Sequence, residues 1–190
     1  MTRIAIILGS TRPSRVGAHV ATWVQESAAA RGDVECELID LLDHPLPHLD
    51  EALSPMLGQY EHEHTQGWAR TMGSYDAFVF VTPEYNHGIS SVLKNAIDYL
   101  HAEWRDKAVG LVSYGIWGGT GAAAQLRQIC GQLGMADVSR QVALTLTSDF
   151  EEYREFRPGP HQSAALTQML DQVVTWSLAL APVREALASS

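Results

Sequence analysis

The sequence predicts a doubly wound α/β fold, a five-stranded parallel sheet in the order 2-1-3-4-5 with helices on both faces. Two observations predict it. Short apolar runs alternate with longer segments of helical period, and five such pairs follow one another along the 190 residues. The segments after the first, third and fourth runs are the richest in glycine, hydroxyls and arginine. In a parallel sheet with right-handed crossovers those loops meet at the carboxyl edge, at the point where the strand order reverses.

The first strand is Ile4 to Leu8. Val16, Val20, Trp23, Val24 and Ser27 then repeat at helical spacing, and Gly32 marks where that helix stops. "VECELIDL" alternates, as a strand at an edge or exposed on one side does. From Leu42 to Gln59 the pattern dissolves around Pro45, Pro47 and Pro55, which reads as a long surface loop. "TQGWARTMGSY" supplies a helix ending at Gly73, and "DAFVFVTP" a third strand stopped by Pro83. In "SSVLKNAIDYLH" the positions Val92, Leu93, Ala96, Ile97 and Leu100 share one helical face. "KAVGLVSYG" is the fourth strand, and the helix in "GTGAAAQLRQICGQLG" ends at Gly134. "VSRQVALTL" is the fifth strand, the acidic "DFEEYRE" a surface segment, and Gln162 to Leu180 the last helix.

Length and composition bound the function. A chain of 190 residues that is 46% hydrophobic builds one packed core, so a single domain over residues 1–190 is expected. A formal net charge of −9 disfavours nucleic acid, which needs a basic face to displace counterions. Cys36 and Cys130 stand far apart with no CxxC pair, which suits a reducing compartment, and the cytoplasm is expected. No membrane partner is expected, because no apolar run approaches the ~18 residues of a span, and the N-terminus enters a strand with no room for a charged leader.

The first loop, "GSTRPSRVG", combines the hydroxyls of Ser10 and Thr11 with the guanidinium forks of Arg12 and Arg15, just before a helix start at Val16 or Gly17. Unpaired amides at that start, with the positive end of the helix dipole, suit an anion. Neither GxGxxG nor GxxxxGK[ST] is present, so a monoester phosphate fits better than a dinucleotide or triphosphate. The second loop, "TPEYNHG" from Thr82 to Gly88, offers the Tyr85 ring and the backbone of Asn86, His87 and Gly88 to a flat heteroaromatic ring. The third, "SYGIWGGTG" from Ser113, has Gly115, Gly118, Gly119 and Gly121, where backbone amides can face a ligand edge without side-chain collision.

"GSTRP" with "PEYNHG" and "LKNAIDYL" closely resembles the NAD(P)H-dependent FMN reductase family of the flavodoxin-like superfamily, over roughly Arg3 to Thr145. The resemblance implies a flavodoxin-like three-layer sandwich. It implies FMN as cofactor, with its phosphate held by Ser10, Arg12 and the amides near Val16 and Gly17, and Arg15 close by. The isoalloxazine would lie against Pro83, Glu84, Tyr85, Asn86 and His87 on one loop and Ser113, Tyr114, Gly115, Gly118 and Gly119 on the other. NADPH or NADH would be the co-substrate in a ping-pong reaction, and the acceptor a quinone, an azo dye, a metal oxyanion or free flavin. A homodimer or homotetramer is expected, with the helix carrying Lys94 to Leu100 at the interface. Hydride transfer needs no protein acid or base, and His87 is the nearest catalytic candidate, for acceptor protonation or access. Trp117 covers the ring or packs elsewhere. Alternatives are a flavodoxin-type electron carrier, disfavoured by the arginines of the phosphate loop, and a redox-sensing flavin-binding protein.

Two other clusters carry less. "EHEH", Glu61 to His64, reads as a solvated face, with no metal expected, because histidines one residue apart share a site on a strand but not on a helix face. Ser10 lacks the GxSxG elbow of a hydrolase nucleophile.

Overall fold

The structure, a computed structural model, describes residues 1–188 and the side chains of residues 1–186. Five parallel strands pair in the order β2-β1-β3-β4-β5: β1 Thr2–Leu8, β2 Val34–Asp40, β3 Ala77–Pro83, β4 Ala108–Gly115 and β5 Ala136–Thr145. The helices between and after them are α1 Gly17–Ala29, α2 Glu63–Gly73, α3 Ser91–Asp98, α4 Thr120–Gln132 and α5 Pro160–Ala188. The central strands β3 and β4 are buried along their whole length, whereas the edge strands β2 and β5 alternate buried and exposed positions.

Alternation along the strands divides the core in two. Ile4, Ile6 and Leu8 point with Val79 and Val112 toward α1 and α5, meeting Val20, Val24, Met169 and Val173. Ala5, Ile7, Phe78 and Phe80 point the other way, meeting Trp68, Leu93, Trp104 and Leu126. The indoles on that side are satisfied: Trp68 donates to the Ala96 carbonyl at 2.8 Å and Trp104 to that of Ile97 at 3.0 Å.

Three segments depart from the sequence reading. The proline-rich loop contains a 3-10 turn at Pro55–Leu57 and is tied down by α3, whose Asn95 donates to the Pro47 carbonyl and accepts from Leu49. The acidic stretch forms a small antiparallel hairpin, β6 Phe150–Glu151 and β7 Glu155–Phe156, whose apolar ends Phe150 and Phe156 pack on Tyr114 and Trp23. The last helix runs past Leu180 and through Pro182. In "EHEH", His62 is still extended as the residue before α2, so its ring turns back and stacks on His64 at 5.1 Å. His64 also contacts Asp50 at 3.0 Å, a pairing that helical spacing alone does not anticipate. Among the described residues no group of three or more His, Cys, Asp or Glu side chains is placed to hold a metal ion.

Candidate active site

Parallel pairing of β1, β3 and β4 ends their three loops at one edge, and between them lies a cavity of about 770 Å³. Ser10, Arg12, Arg15 and Val16 line it from the first loop, Pro83, Glu84 and Tyr85 from the second, and Tyr114, Gly115 and Ile116 from the third. Its size is within the range of small-molecule sites.

One end gathers the hydrogen-bond donors of the first loop. α1 starts with no side-chain cap and no acidic residue in its first turn, so its leading amides and dipole face outward unopposed. Arg12 is exposed, and its recorded hydrogen bond is from its backbone amide to Ser10 Oγ at 3.4 Å. Arg15 differs: its guanidinium is ion-paired with Asp40, the two side chains only 13% and 22% exposed. Thr11 faces a separate groove beside Leu42 and Val92 rather than the cavity. Gly17 is buried beneath Tyr114, and a Cβ there would strike the phenol oxygen. Ser10 Oγ lies 3.3 Å from the Tyr85 hydroxyl, within hydrogen-bond distance. Burial pushes the Tyr114 hydroxyl well above the usual phenol range, and the neighbouring Tyr85 adds to this, against the pull of Ser10, Arg15 and Arg12. It therefore stays protonated and able to donate.

The other end is shaped by two interlocked turns. Tyr85 and Gly88 exchange backbone hydrogen bonds at 2.9 and 3.0 Å across Asn86 and His87, both at positive φ (52° and 66°). Glu84 Oε2 accepts from the amides of Gly121 at 2.7 Å and Ala122 at 3.1 Å, so the second loop caps the helix that follows the third. α4 has no other cap: its N-cap residue is Gly119, at φ 66°. Asn86 and His87 are exposed and do not line the cavity, and the imidazole of His87 sits against Gly121, where a Cβ would collide with it.

Gly118 and Gly119, expected to face a ring, turn inward. Both have positive φ (75° and 66°), and a Cβ would lie 3.2 Å from Ala143 Cβ at the first and 2.8 Å from Ser113 Cβ at the second. Ser113 donates to the Gly118 carbonyl at 2.7 Å, so it too serves the turn rather than the cavity. The glycines are there because the turn packs tightly on β4 and β5. Of the exposed apolar pair at its tip, Ile116 lines the cavity and Trp117, 79% exposed, does not.

Sequence reasoning did not single out Pro13, Ser14 and Ile116 within the expected loops, and it missed His19, Leu146, Tyr153 and Arg154, which line the cavity from outside them. His19 lies within the first turn of α1, and its position could have been read from the helix start. Leu146 directly follows β5, and Tyr153 and Arg154 come from the β6–β7 hairpin, where Phe156 packs edge-on against Trp23 at 5.3 Å. No local pattern announces that contact.

The order 2-1-3-4-5, with an uncapped first helix and two turns flanking a cavity at the carboxyl edge, defines a flavodoxin-like α/β protein. The NADPH-dependent FMN reductase family profile matches residues 2–149, and the chain belongs to that family. An NAD(P)H-dependent FMN reductase of Schizosaccharomyces pombe is 42% identical over 149 residues, covering 77% of this chain and 74% of that one. A quinone reductase of Pseudomonas putida is 34% identical over 136 residues, 66% of this chain and 67% of that one. In fold, the chain matches the flavoenzyme NAD(P)H:(acceptor) oxidoreductase FerB of Paracoccus denitrificans with a TM-score of 0.71 at 21% identity, covering 94% and 98% of the two chains.

Proposed function

We propose that this chain is an FMN-dependent NAD(P)H oxidoreductase that works by a ping-pong mechanism on small acceptors, quinones first. One observation carries the reading: a single cavity joins an unopposed helix start and the unpaired Arg12 to the backbone of Pro83–Tyr85 and Tyr114–Ile116. That donor set suits a phosphate monoester at one end and a flat ring at the other. FMN, when bound, supplies the hydride and electron chemistry.

The protein's share is binding and orientation. Ser10, Arg12 and the amides at Val16 and Gly17 would hold the phosphate, with the Tyr114 hydroxyl donating behind them. The Glu84 cap would fix the spacing of the two turns that flank the ring. Azo dyes, metal oxyanions and free flavin are further acceptors of the same small-molecule class. Two features support an assembly of two or four copies. Leu42, Met56 and Leu57 are 56%, 72% and 59% exposed, and α3 leaves Val92, Lys94 and Asn95 partly open, Val92 and Asn95 in a groove shared with Leu42. Ile97, Tyr99 and Leu100 of that region are buried in the chain's own core. The cytoplasm fits two cysteines without disulfides, Cys130 being buried and its thiol pushed up to about 12. Among the described residues no helix is long and apolar enough to cross a membrane.

The test is a visible spectrum of the purified chain with FMN, then anaerobic addition of NADPH or NADH, then a quinone in a separate mixing step. Bleaching by the nicotinamide and recovery with the quinone alone are expected. A chain that binds FMN but is not bleached by either nicotinamide would be a carrier or sensor instead. Arg12→Ala should weaken FMN binding by roughly 1.5–3 kcal/mol, measured by flavin fluorescence, without changing the circular dichroism of the fold.

A further inference from the structure

We propose that the tip of the β6–β7 hairpin belongs to the cofactor site, with Arg154 supplying the second free guanidinium to the phosphate and Tyr153 covering that end of the cavity. The proposal rests on the FMN reading above. The sequence assigns the second guanidinium to Arg15, but Arg15 is paired with Asp40 in a largely buried site, and a neutralised pair attracts an added anion weakly. Arg154 lines the same cavity as Arg12, and its recorded hydrogen bond is from its backbone amide to the Glu151 carbonyl.

Its neighbours do not neutralise it. The carboxylates of Glu151 and Glu155, which flank it in the hairpin, are instead paired with Arg157 at 2.7 and 3.0 Å. The hairpin is held against the middle of α1 by Phe156 on Trp23 at 5.3 Å, and by Phe150 between Phe156 (5.1 Å) and Tyr114 (6.5 Å), and Tyr153 and Arg154 line the cavity together with Val16 and His19 at the start of α1. Its tip therefore stands where the α1 amides open. The turn itself is unusual. Glu152 and Tyr153 occupy left-handed backbone at φ 48° and 60° in the three-residue loop between the paired Glu151 and Glu155, a conformation that Asn and Gly ordinarily fill. Such strain is held by the surrounding structure and concentrates at ligand clamps. The tip lies beyond residue 149, where the family match ends.

The experiment measures the affinity of the full-length chain, freed of flavin, for FMN and for riboflavin, by fluorescence quenching at several KCl concentrations. Riboflavin carries the ring without the phosphate, so the ratio of the two affinities isolates the phosphate contacts. Arg154→Ala should lower the preference for FMN roughly tenfold and flatten its salt dependence, leaving riboflavin affinity unchanged. Arg15→Ala should change the preference less than Arg154→Ala does. Tyr153→Gly should hold or raise thermal stability by relieving the turn while FMN dissociates faster. If Arg12→Ala lowers the FMN preference and Arg154→Ala leaves it within about twofold, the hairpin clamp is wrong and the flavin reading stands. If neither substitution changes it, the phosphate assignment itself is wrong and the clamp falls with it.

Discussion

Glu84→Ala should destabilise the fold by about 2 kcal/mol, although Glu84 reads in the sequence as a ligand contact. Its Oε2 accepts from the amides of Gly121 (2.7 Å) and Ala122 (3.1 Å), and α4 has no cap of its own because Gly119 has no side chain to offer. Losing a side-chain N-cap costs about 1 kcal/mol, and losing a negative charge at a helix start costs about 0.3–1 kcal/mol more. Water can reach the half-buried site and replace part of the bond, so the sum does not reach the full penalty of two orphaned amides. Glu84→Gln keeps an acceptor and loses only the charge, so about 0.5 kcal/mol is expected. For a chain of 190 residues the alanine variant should melt about 4–8 °C lower. Urea unfolding of the flavin-free chain, followed by circular dichroism, gives both values. Equal stability of the alanine variant and the parent, within about 0.3 kcal/mol, would refute the cap. So would a glutamine variant as unstable as the alanine one, which would show that charge rather than acceptor geometry carries the effect.

Lys107 and the His87–Gly121 contact give two further tests. Burial pushes the Lys107 ammonium down to about 8, with Arg184 lowering it further and Asp76 and Glu103 opposing, while its Nζ donates to the Met72 carbonyl at 3.0 Å. Between about pH 8 and 10 the unfolded chain then holds a proton at Lys107 that the folded chain has lost, so the contribution of Lys107 to stability should rise with pH across that window, by at most about 3 kcal/mol. Burial, together with Glu103, Glu37 and Asp50 respectively, keeps the Tyr60, Tyr75 and Tyr99 hydroxyls protonated; stability from these raised groups is lost only above the ordinary tyrosine value of 10.0. Chemical denaturation from pH 7.5 to 10 should show the parent gaining stability relative to Lys107→Met as the pH rises, while the buried Cys130 thiol, pushed up to about 12, lowers both alike above the ordinary thiol value of 9.0; a difference that does not change with pH would refute the Lys107 assignment. Gly121→Ala should cost about 1–2 kcal/mol because its Cβ meets the His87 ring and sits 3.0 Å from Glu84 Oε2. His87→Gly relieves the left-handed residue at φ 66° and opens that space, so it should stabilise by about 0.5–1 kcal/mol and soften the alanine substitution. Strict additivity in thermal melts of the double variant would mean that the two side chains do not meet.

What the sequence by itself determined were the properties carried by neighbours along the chain. Alternating apolar runs and helical faces specify five strands, their helices and the order in which loops reach the carboxyl edge, because burial of one face per element is a local pattern. The chemistry of "GSTRPSRVG" was legible for the same reason: a helix start and its anion donors are adjacent in the chain. The tertiary structure decided which of those groups remain free. Arg15 faces the cavity yet meets Asp40, 25 residues on, and Glu84 reaches 37 residues ahead to cap α4. Gly118 and Gly119 face the protein rather than a ligand, because β4 and β5 close on them from behind. Arg154 lines the cavity from a hairpin whose Phe156 packs on Trp23 across the fold. Charge neutralisation and packing depend on which groups share a volume, and that is settled only when distant segments are brought together.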